Sequence, residues 1–245
     1  MFRHQGKSRT IKHNLRIATL LSFVAGIVNV TGFLAIQELT TNVTGHFTLF
    51  LNDVSKFEFL KGSIYLLYIV SFLFGSFVSS FFIEYINTSK KLNIFVLPTI
   101  LESGVLIVTA ILYDVSLLES SNLIACLLLF AMGLQNSFVT KISNTIVRTT
   151  HLTGLFTDLG IELSQLLFPK QHPYQKKIIS TIKLRLYIIS FFFLGGIIGG
   201  FLFTKIELNT LIFAALLLLI GLVFDHFRYK MIKMQRKYQF QKRLK

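Results

Sequence analysis

Thr41-Asn42-Val43-Thr44-Gly45-His46-Phe47-Thr48 and Thr150-His151-Leu152-Thr153-Gly154-Leu155-Phe156-Thr157 are the two stretches on which the fold of this 245-residue chain turns. Each follows a long apolar block and opens a short one, Val43 to Leu51 and Leu152 to Phe168. A helix that crosses a bilayer needs about 20 predominantly apolar residues, so the Thr- and Gly-punctuated runs read as short, partial or re-entrant helices. Whether they cross decides the topology.

Around them lie six stronger segments: Ile17 to Ile36, Gly62 to Ile83, Leu92 to Tyr113, Asn122 to Thr140, Leu186 to Thr204 and Leu208 to Phe224. The chain is 53% hydrophobic and only 15% charged, with a mean hydropathy of +0.64. A soluble domain of this length needs more charge to cover its surface, which excludes an ordinary cytosolic enzyme. The first block is too long for the core of a secretory signal and no small-residue cleavage site follows, so it is expected to be a retained helix. The expected fold is all-α: a polytopic helical membrane protein with six strong transmembrane helices and two short partial ones.

Charge supports six spans and orients them. Arg3, Lys7, Arg9, Lys12 and Arg16 precede the first span, and eight Lys or Arg follow His226. With six spans, the loop cations Lys90, Lys91, Lys141, Arg148, Lys170, Lys176, Lys177, Lys183 and Arg185 fall on the side of the termini, against Lys56, Lys61 and Lys205 opposite. Crossing by the short runs would move Lys90 and Lys91 across and erode that bias, so the positive-inside rule favours six spans with both termini cytoplasmic. Flanking charge suffices to explain the basic tails, and no nucleic-acid partner is expected.

The two halves repeat. Gly26-Ile27-Val28-Asn29 matches Gly133-Leu134-Gln135-Asn136 at an offset of 107, the Thr-Gly stretches match at 109, and Phe74 to Phe81 matches Leu194 to Phe201 at 120. Thr99 and Asp114 match Thr210 and Asp225 at 111, which sets Phe213 opposite Glu102. Shared Thr, Gly and Asn positions carry this evidence, because apolar runs match one another cheaply. Three spans per unit oblige the second copy to enter from the opposite face, giving two inverted three-span repeats at 17–120 and 121–225, flanked by basic tails at 1–16 and 226–245.

In each repeat a span with a polar residue near one end (Asn29, Gln135, Asn136) precedes a Thr-rich turn and a Gly. Thr hydroxyls and Asn amides satisfy backbone groups freed where a helix breaks. Inverted broken elements that met near the bilayer centre would offer Asn29, Thr41, Thr44, Gly45, Gln135, Asn136, Thr150, Thr153 and Gly154 to a small solute. The competing reading is a Thr N-cap at the membrane interface. Gly75, Ser76, Ser79 and Ser80, with Gly195, Gly196, Gly199 and Gly200, form small-residue ridges suited to close helix packing, and they are candidates for the contact between repeats. Asp158 and Glu162 sit one helical turn apart and read as a solvated face. Glu102, deep in a span, is a candidate for proton or cation handling or a protonated structural group.

Other chemistry finds no support. Cys126 stands alone, His46 and His151 do not occupy matching repeat positions, and no phosphate loop, nucleophile elbow or His-Glu-x-x-His is present. No cofactor, no metal and no enzymatic activity are expected. The expected partners are the lipid bilayer and an unidentified small solute, with a homo-oligomer compatible; the alternative is a non-transporting lipid-interacting or scaffold protein.

Ala25-Gly26-Ile27-Val28-Asn29 with Thr44-Gly45, and Gly133-Leu134-Gln135-Asn136 with Thr149-Thr150-His151-Leu152-Thr153-Gly154, resemble the YoaK-like family of bacterial multi-pass membrane proteins, catalogued as a domain of unknown function. The resemblance spans nearly the whole chain and implies a bacterial inner-membrane protein without naming a substrate. It also implies Asp where Asn29 stands and Asn where His46 stands.

Overall fold

The computed structural model describes residues 11–87, 96–114, 120–171 and 173–243. Among them the chain forms α1 (Ile11–Ile36), α2 (Thr44–Ser55), α3 (Phe59–Asn87), α4 (Val96–Asp114), α5 (Ser121–Ser143), α6 (Leu152–Leu166), α7 (Gln175–Ile206) and α8 (Thr210–Arg243). No strand occurs among the described residues. The expected loops around Lys90, Lys91 and Glu119 and the N-terminal tail to Thr10 lie outside them.

Length and composition qualify five apolar stretches as spans, the last of them 54 residues long, Gln175–Arg228. That stretch is broken by a 3-10 turn at Glu207–Asn209, where Glu207 takes a φ of 45° and the chain reverses, so it supplies two spans, α7 and α8. Two expected boundaries move. α7 begins at Gln175, which places Lys176, Lys177, Lys183 and Arg185 on the helix, and α8 runs on to Arg243, so no helix break separates span from basic tail. Lys and Arg have good helix propensity and let a helix continue beyond the bilayer, which a hydropathy reading cannot register.

The helices exchange partners between halves. α1 packs on α7 and α3 on α5; α2 lies on α3 and α6 on α7; α4 meets α5 and α8 meets α1. Each pairing has a counterpart with the halves interchanged, while α1 with α5 and α4 with α8 straddle the axis. Gly32 faces Leu128, and Gln135 Nε2 donates to the Leu21 carbonyl at 3.1 Å, so α1 and α5 run antiparallel. Their side chains make up the centre, with Ile17, Leu21, Val28, Leu128, Met132 and Phe138 fully buried. Outward, Phe74, Phe77 and Phe81 of α3 and Phe193 and Phe201 of α7 are exposed, an apolar surface suited to hydrocarbon.

Glycine sets the closest crossings. A Cβ on Gly26 would fall on the carbonyl of Phe192 and one on Gly195 on that of Phe23; a Cβ on Gly75 would fall on the carbonyl of Phe130 and one on Gly133 on that of Phe72. These four contacts interchange under the offsets of 107 and 120. Gly199 abuts the Ile27 backbone, and Ser76 Oγ donates to the Gly133 carbonyl at 3.1 Å. Gly196 and Gly200 are looser, since a Cβ added to them would lie 3.1 and 3.5 Å from Val30 side-chain atoms; Ser79 is buried and Ser80 half-buried.

The register of the last pair is displaced by one residue from the expected match. Glu102, Ser103 and Leu106 of α4 are buried and Gly104 and Val108 exposed; in α8 the same pattern falls on Ala214, Ala215, Leu218, Leu216 and Ile220. Phe213 is 36% exposed, so Ala214 stands where the first half has Glu102. Matching recurrent Thr and Asp aligns letters, but a one-residue shift turns a helix by about 100°, and burial shows which face is inward.

Candidate functional site

Two helix stops create the site. α1 ends where Gln37 adopts a φ of 57°, and α5 ends where Asn144 and Thr145 adopt 50° and 64°. A left-handed residue after a helix directs the chain away from its axis. Each chain then doubles back along the helix it has left: Thr41 Oγ1 donates to Asn29 Oδ1 at 2.7 Å and Thr40 Oγ1 to the Val28 carbonyl at 3.3 Å. In the second half Thr150 Oγ1 donates to Asn136 Oδ1 at 3.0 Å, and Gln135 Nε2 donates to Thr149 Oγ1 at 3.2 Å.

Residues 28 and 29 lie seven to eight positions before the end of α1, so the returning segment has descended about 10 to 12 Å at the helical rise. Residues 135 and 136 stand equally far before the end of α5. α2 and α6 start at that depth and lead back to the face their segments came from. They are re-entrant. Threonine is not the N-cap in either: Val43 and His151 hold those positions without side-chain cap bonds, and Asn42 Oδ1 receives the Gly45 amide at 3.4 Å. Irregular backbone at this depth requires protein or a water-filled cavity around it.

Both re-entrant segments border one cavity of about 520 Å³. The first contributes Leu39, Thr41, Asn42, Val43 and Thr44, the second Thr150, His151, Leu152, Thr153 and Gly154, with Asn29 of α1 between them. Phe72 and Phe192, equivalent at the offset of 120, close the sides. A family model for a protein of unknown function (DUF1275) matches residues 17–224. The chain belongs to the DUF1275 family. No curated protein and no solved structure matches it.

Of the residues expected to bind in this DUF1275 chain, Asn29, Thr41, Thr44, Thr150, Thr153 and Gly154 are brought to the cavity. Gln135 and Asn136 are buried behind it, where they bind Thr149 and Thr150, and Gly45 lies in the first turn of α2. Phe72 and Phe192 were missed; their signal is the Phe that recurs three residues before Gly75 and Gly195.

A second cavity of about 440 Å³ shares His151 and Gly154 with the first and extends toward the face of the termini, past Arg148, Leu155, Asp158 and Arg185. Asp158 and Glu162 are not simply a solvated face. Arg185 forks onto Glu162 through Nε at 2.8 Å and Nη2 at 3.0 Å, and its Nη1 reaches Asp158 Oδ2 at 3.1 Å, fastening α6 to α7. The spacing placed both carboxylates on one helix face, but their partner, 23 residues beyond Glu162, is contributed by the next helix, which only packing supplies. Partial desolvation and then the Arg148 guanidinium push the His151 imidazole below its usual pKa, so it stays neutral above that range and the wall of the first cavity carries no fixed charge.

Glu102 is fully buried between α4 and its neighbours, and neither carboxylate oxygen has a hydrogen-bond partner. It lines neither cavity.

Proposed function

We propose that this chain is a small-solute transporter or channel-like permease whose substrate occupies the 520 Å³ cavity between the two re-entrant segments. The observation that carries this reading is the convergence on one cavity of equivalent elements from inverted halves, which is how many secondary transporters build a site accessible alternately from either face. The lining combines hydroxyls, amides and an imidazole with Leu39, Val43, Leu152 and two phenylalanine walls, matched to a small solute with polar and apolar parts rather than to a nucleic acid, and no resident cofactor, metal or catalytic residue enters the reading. The basic loops support a cytoplasmic face for the termini, and the Gly-Leu-Gln-Asn and Thr-Thr-x-x-Thr-Gly pair supports the reading of a YoaK-like protein of the bacterial inner membrane. A homo-oligomer is compatible with this reading.

Cysteine accessibility tests it. With Cys126 replaced by Ala, Thr44→Cys and Thr153→Cys are expected to react with a water-soluble, membrane-impermeant thiol reagent and to be protected by a solute that raises the melting temperature of the purified protein. Reaction with lipid-soluble reagents alone would support the lipid-interacting or scaffold alternative and end the permease reading.

Glu102 enters as a proton- or cation-handling group. A carboxylate at the bilayer centre costs roughly 2.5 to 3.5 kcal/mol on insertion scales, and an unpartnered, buried one is held neutral until a change of conformation gives it water or a cation. Glu102→Gln keeps shape and removes titration, and is expected to leave folding intact while flattening the pH dependence of solute uptake. Full uptake with an unchanged pH profile would make Glu102 a structural residue.

A further inference from the structure

We infer that His46 and Glu38 form a proton-binding site that holds closed the half of the pathway opposite the termini. The inference rests on the permease reading, and begins from the place where the repeat symmetry fails. At the offset of 109, His46 corresponds to Leu155, Leu39 to Arg148 and Glu38 to Val147; at 120, Tyr65 corresponds to Arg185. In the second half Leu155, Arg148 and Arg185 border the 440 Å³ cavity that leads toward the face of the termini. In the first half the corresponding groups are in contact. The His46 ring is stacked 6.1 Å from Tyr65 and set edge-on 5.1 Å from Tyr68, and its Nε2 lies 2.6 Å from the Leu39 carbonyl.

That last contact fixes the orientation of the ring. A carbonyl only accepts, so Nε2 carries a hydrogen in either charge state of the ring. The exchangeable proton belongs to Nδ1, which is buried, has no hydrogen-bond partner, and faces Glu38 Oε2 at 3.9 Å. With no proton between them, two electron-rich atoms face each other, the ring buried and the carboxylate partly exposed. One proton converts that repulsion into attraction, whether it sits on Nδ1 beside a carboxylate or on Glu38 as a hydroxyl aimed at Nδ1. The pair therefore holds one proton jointly.

The surroundings favour keeping it. α3 presents the hydroxyls of Tyr65 and Tyr68, the latter donating to Asn122 Oδ1 of α5 at 2.6 Å; Cys126 of α5 lies near Tyr68, and Asp53 of α2 acts on Tyr65. These groups are neutral or acidic. Burial pushes the Glu38 carboxyl above its usual range, an effect His46 partly offsets. Because Glu38 sits on the returning segment and His46 on α2, losing the proton drives these two elements apart. Val147 and Leu155 place no titratable group at the equivalent positions of the second half.

The test uses the full-length protein in sealed, oriented vesicles, with Cys126→Ala and either Val43→Cys or, at the same outer face, the exposed control Ser55→Cys. An impermeant thiol reagent is applied to the face opposite the termini, and the Val43 rate is divided by the Ser55 rate to remove thiolate titration. This ratio is expected to rise about fivefold between about pH 5.5 and about pH 8.5 along a one-proton curve. Glu38→Gln, whose amide donates to Nδ1 at every pH, is expected to hold it low and flat, and His46→Gln to remove its pH dependence. A flat ratio in the parent overturns the proposal, as does an equal rise in Glu38→Gln or, should that variant not fold, in His46→Gln. Thr153→Cys that reacts from neither face would sink the permease reading by itself, while the Val43 ratio still judges the proton site.

Discussion

Gly195→Leu and Gly75→Leu are expected to abolish accumulation of folded protein, and even Gly195→Ala and Gly75→Ala to destabilise it by about 1 to 3 kcal/mol each, the usual range for overpacking a dense interior. At both positions the space for a Cβ is already taken by backbone of the neighbouring helix, the Phe23 carbonyl for Gly195 and the Phe130 carbonyl for Gly75. A flexible side chain could move aside; a carbonyl engaged in its own helix cannot. Gly200→Ala is the internal control, because the added Cβ would meet nothing closer than a Val30 methyl at 3.5 Å, an ordinary contact. Melting in detergent should rank Gly200→Ala near the parent, Gly196→Ala lower and Gly195→Ala lowest. Gly26→Ala should be non-additive with Gly195→Ala, since both press on the crossing of α1 and α7. Equal melting of all these variants would mean that the helices do not approach closely along these ridges.

Asn136→Leu should cost about 1 to 3 kcal/mol and release the second re-entrant segment, because it removes the acceptor through which the Thr150 hydroxyl ties that segment to α5. Asn136 is 7% exposed; its Nδ2 donates to the Met132 carbonyl at 3.0 Å and its Oδ1 accepts from Thr150. Asn29→Leu should act likewise through Thr41, whose bond to Asn29 Oδ1 is 2.7 Å. The readouts are faster cutting of the segment by protease, a lower melting temperature, and solute affinity weakened roughly tenfold or more, since a factor of ten in affinity is about 1.4 kcal/mol. A double-mutant cycle of Asn136→Leu with Thr150→Val should show the pair to be coupled. Additive effects would mean the segment is held by something other than this clasp.

Much of this arrangement is legible in the chain. Thr41 and Thr150 stand out as recurrences within Thr-x-x-Thr-Gly, and Asn29 and Asn136 as polar residues in apolar helices, so both ends of each clasp could be named in advance. Their joining could not. Thr41 is 12 residues from Asn29 and Thr150 is 14 from Asn136, and only the left-handed turns at Gln37 and Asn144, neither of them glycine, return the chain to its own helix. His46 and Glu38 were illegible for a different reason: eight residues apart and without counterparts in the other half, they become a pair only when α2 doubles back on the returning segment.

The amino-acid order by itself determined that this is a polytopic helical protein, that one short helix follows the first span of each half, and that an odd number of spans inverts the second half. Those properties follow from apolar length and from counting, and neither depends on which helix touches which. The tertiary structure decided that α1 lies on α7 and α3 on α5, across the halves, that both re-entrant segments border one cavity, and that Glu102 faces inward opposite Ala214. In a bilayer, lipid is as apolar as leucine, so hydrophobicity cannot distinguish a face that meets hydrocarbon from one that meets another helix. That choice is made by fit, and here it is made where Gly26, Gly75, Gly133 and Gly195 let backbones touch.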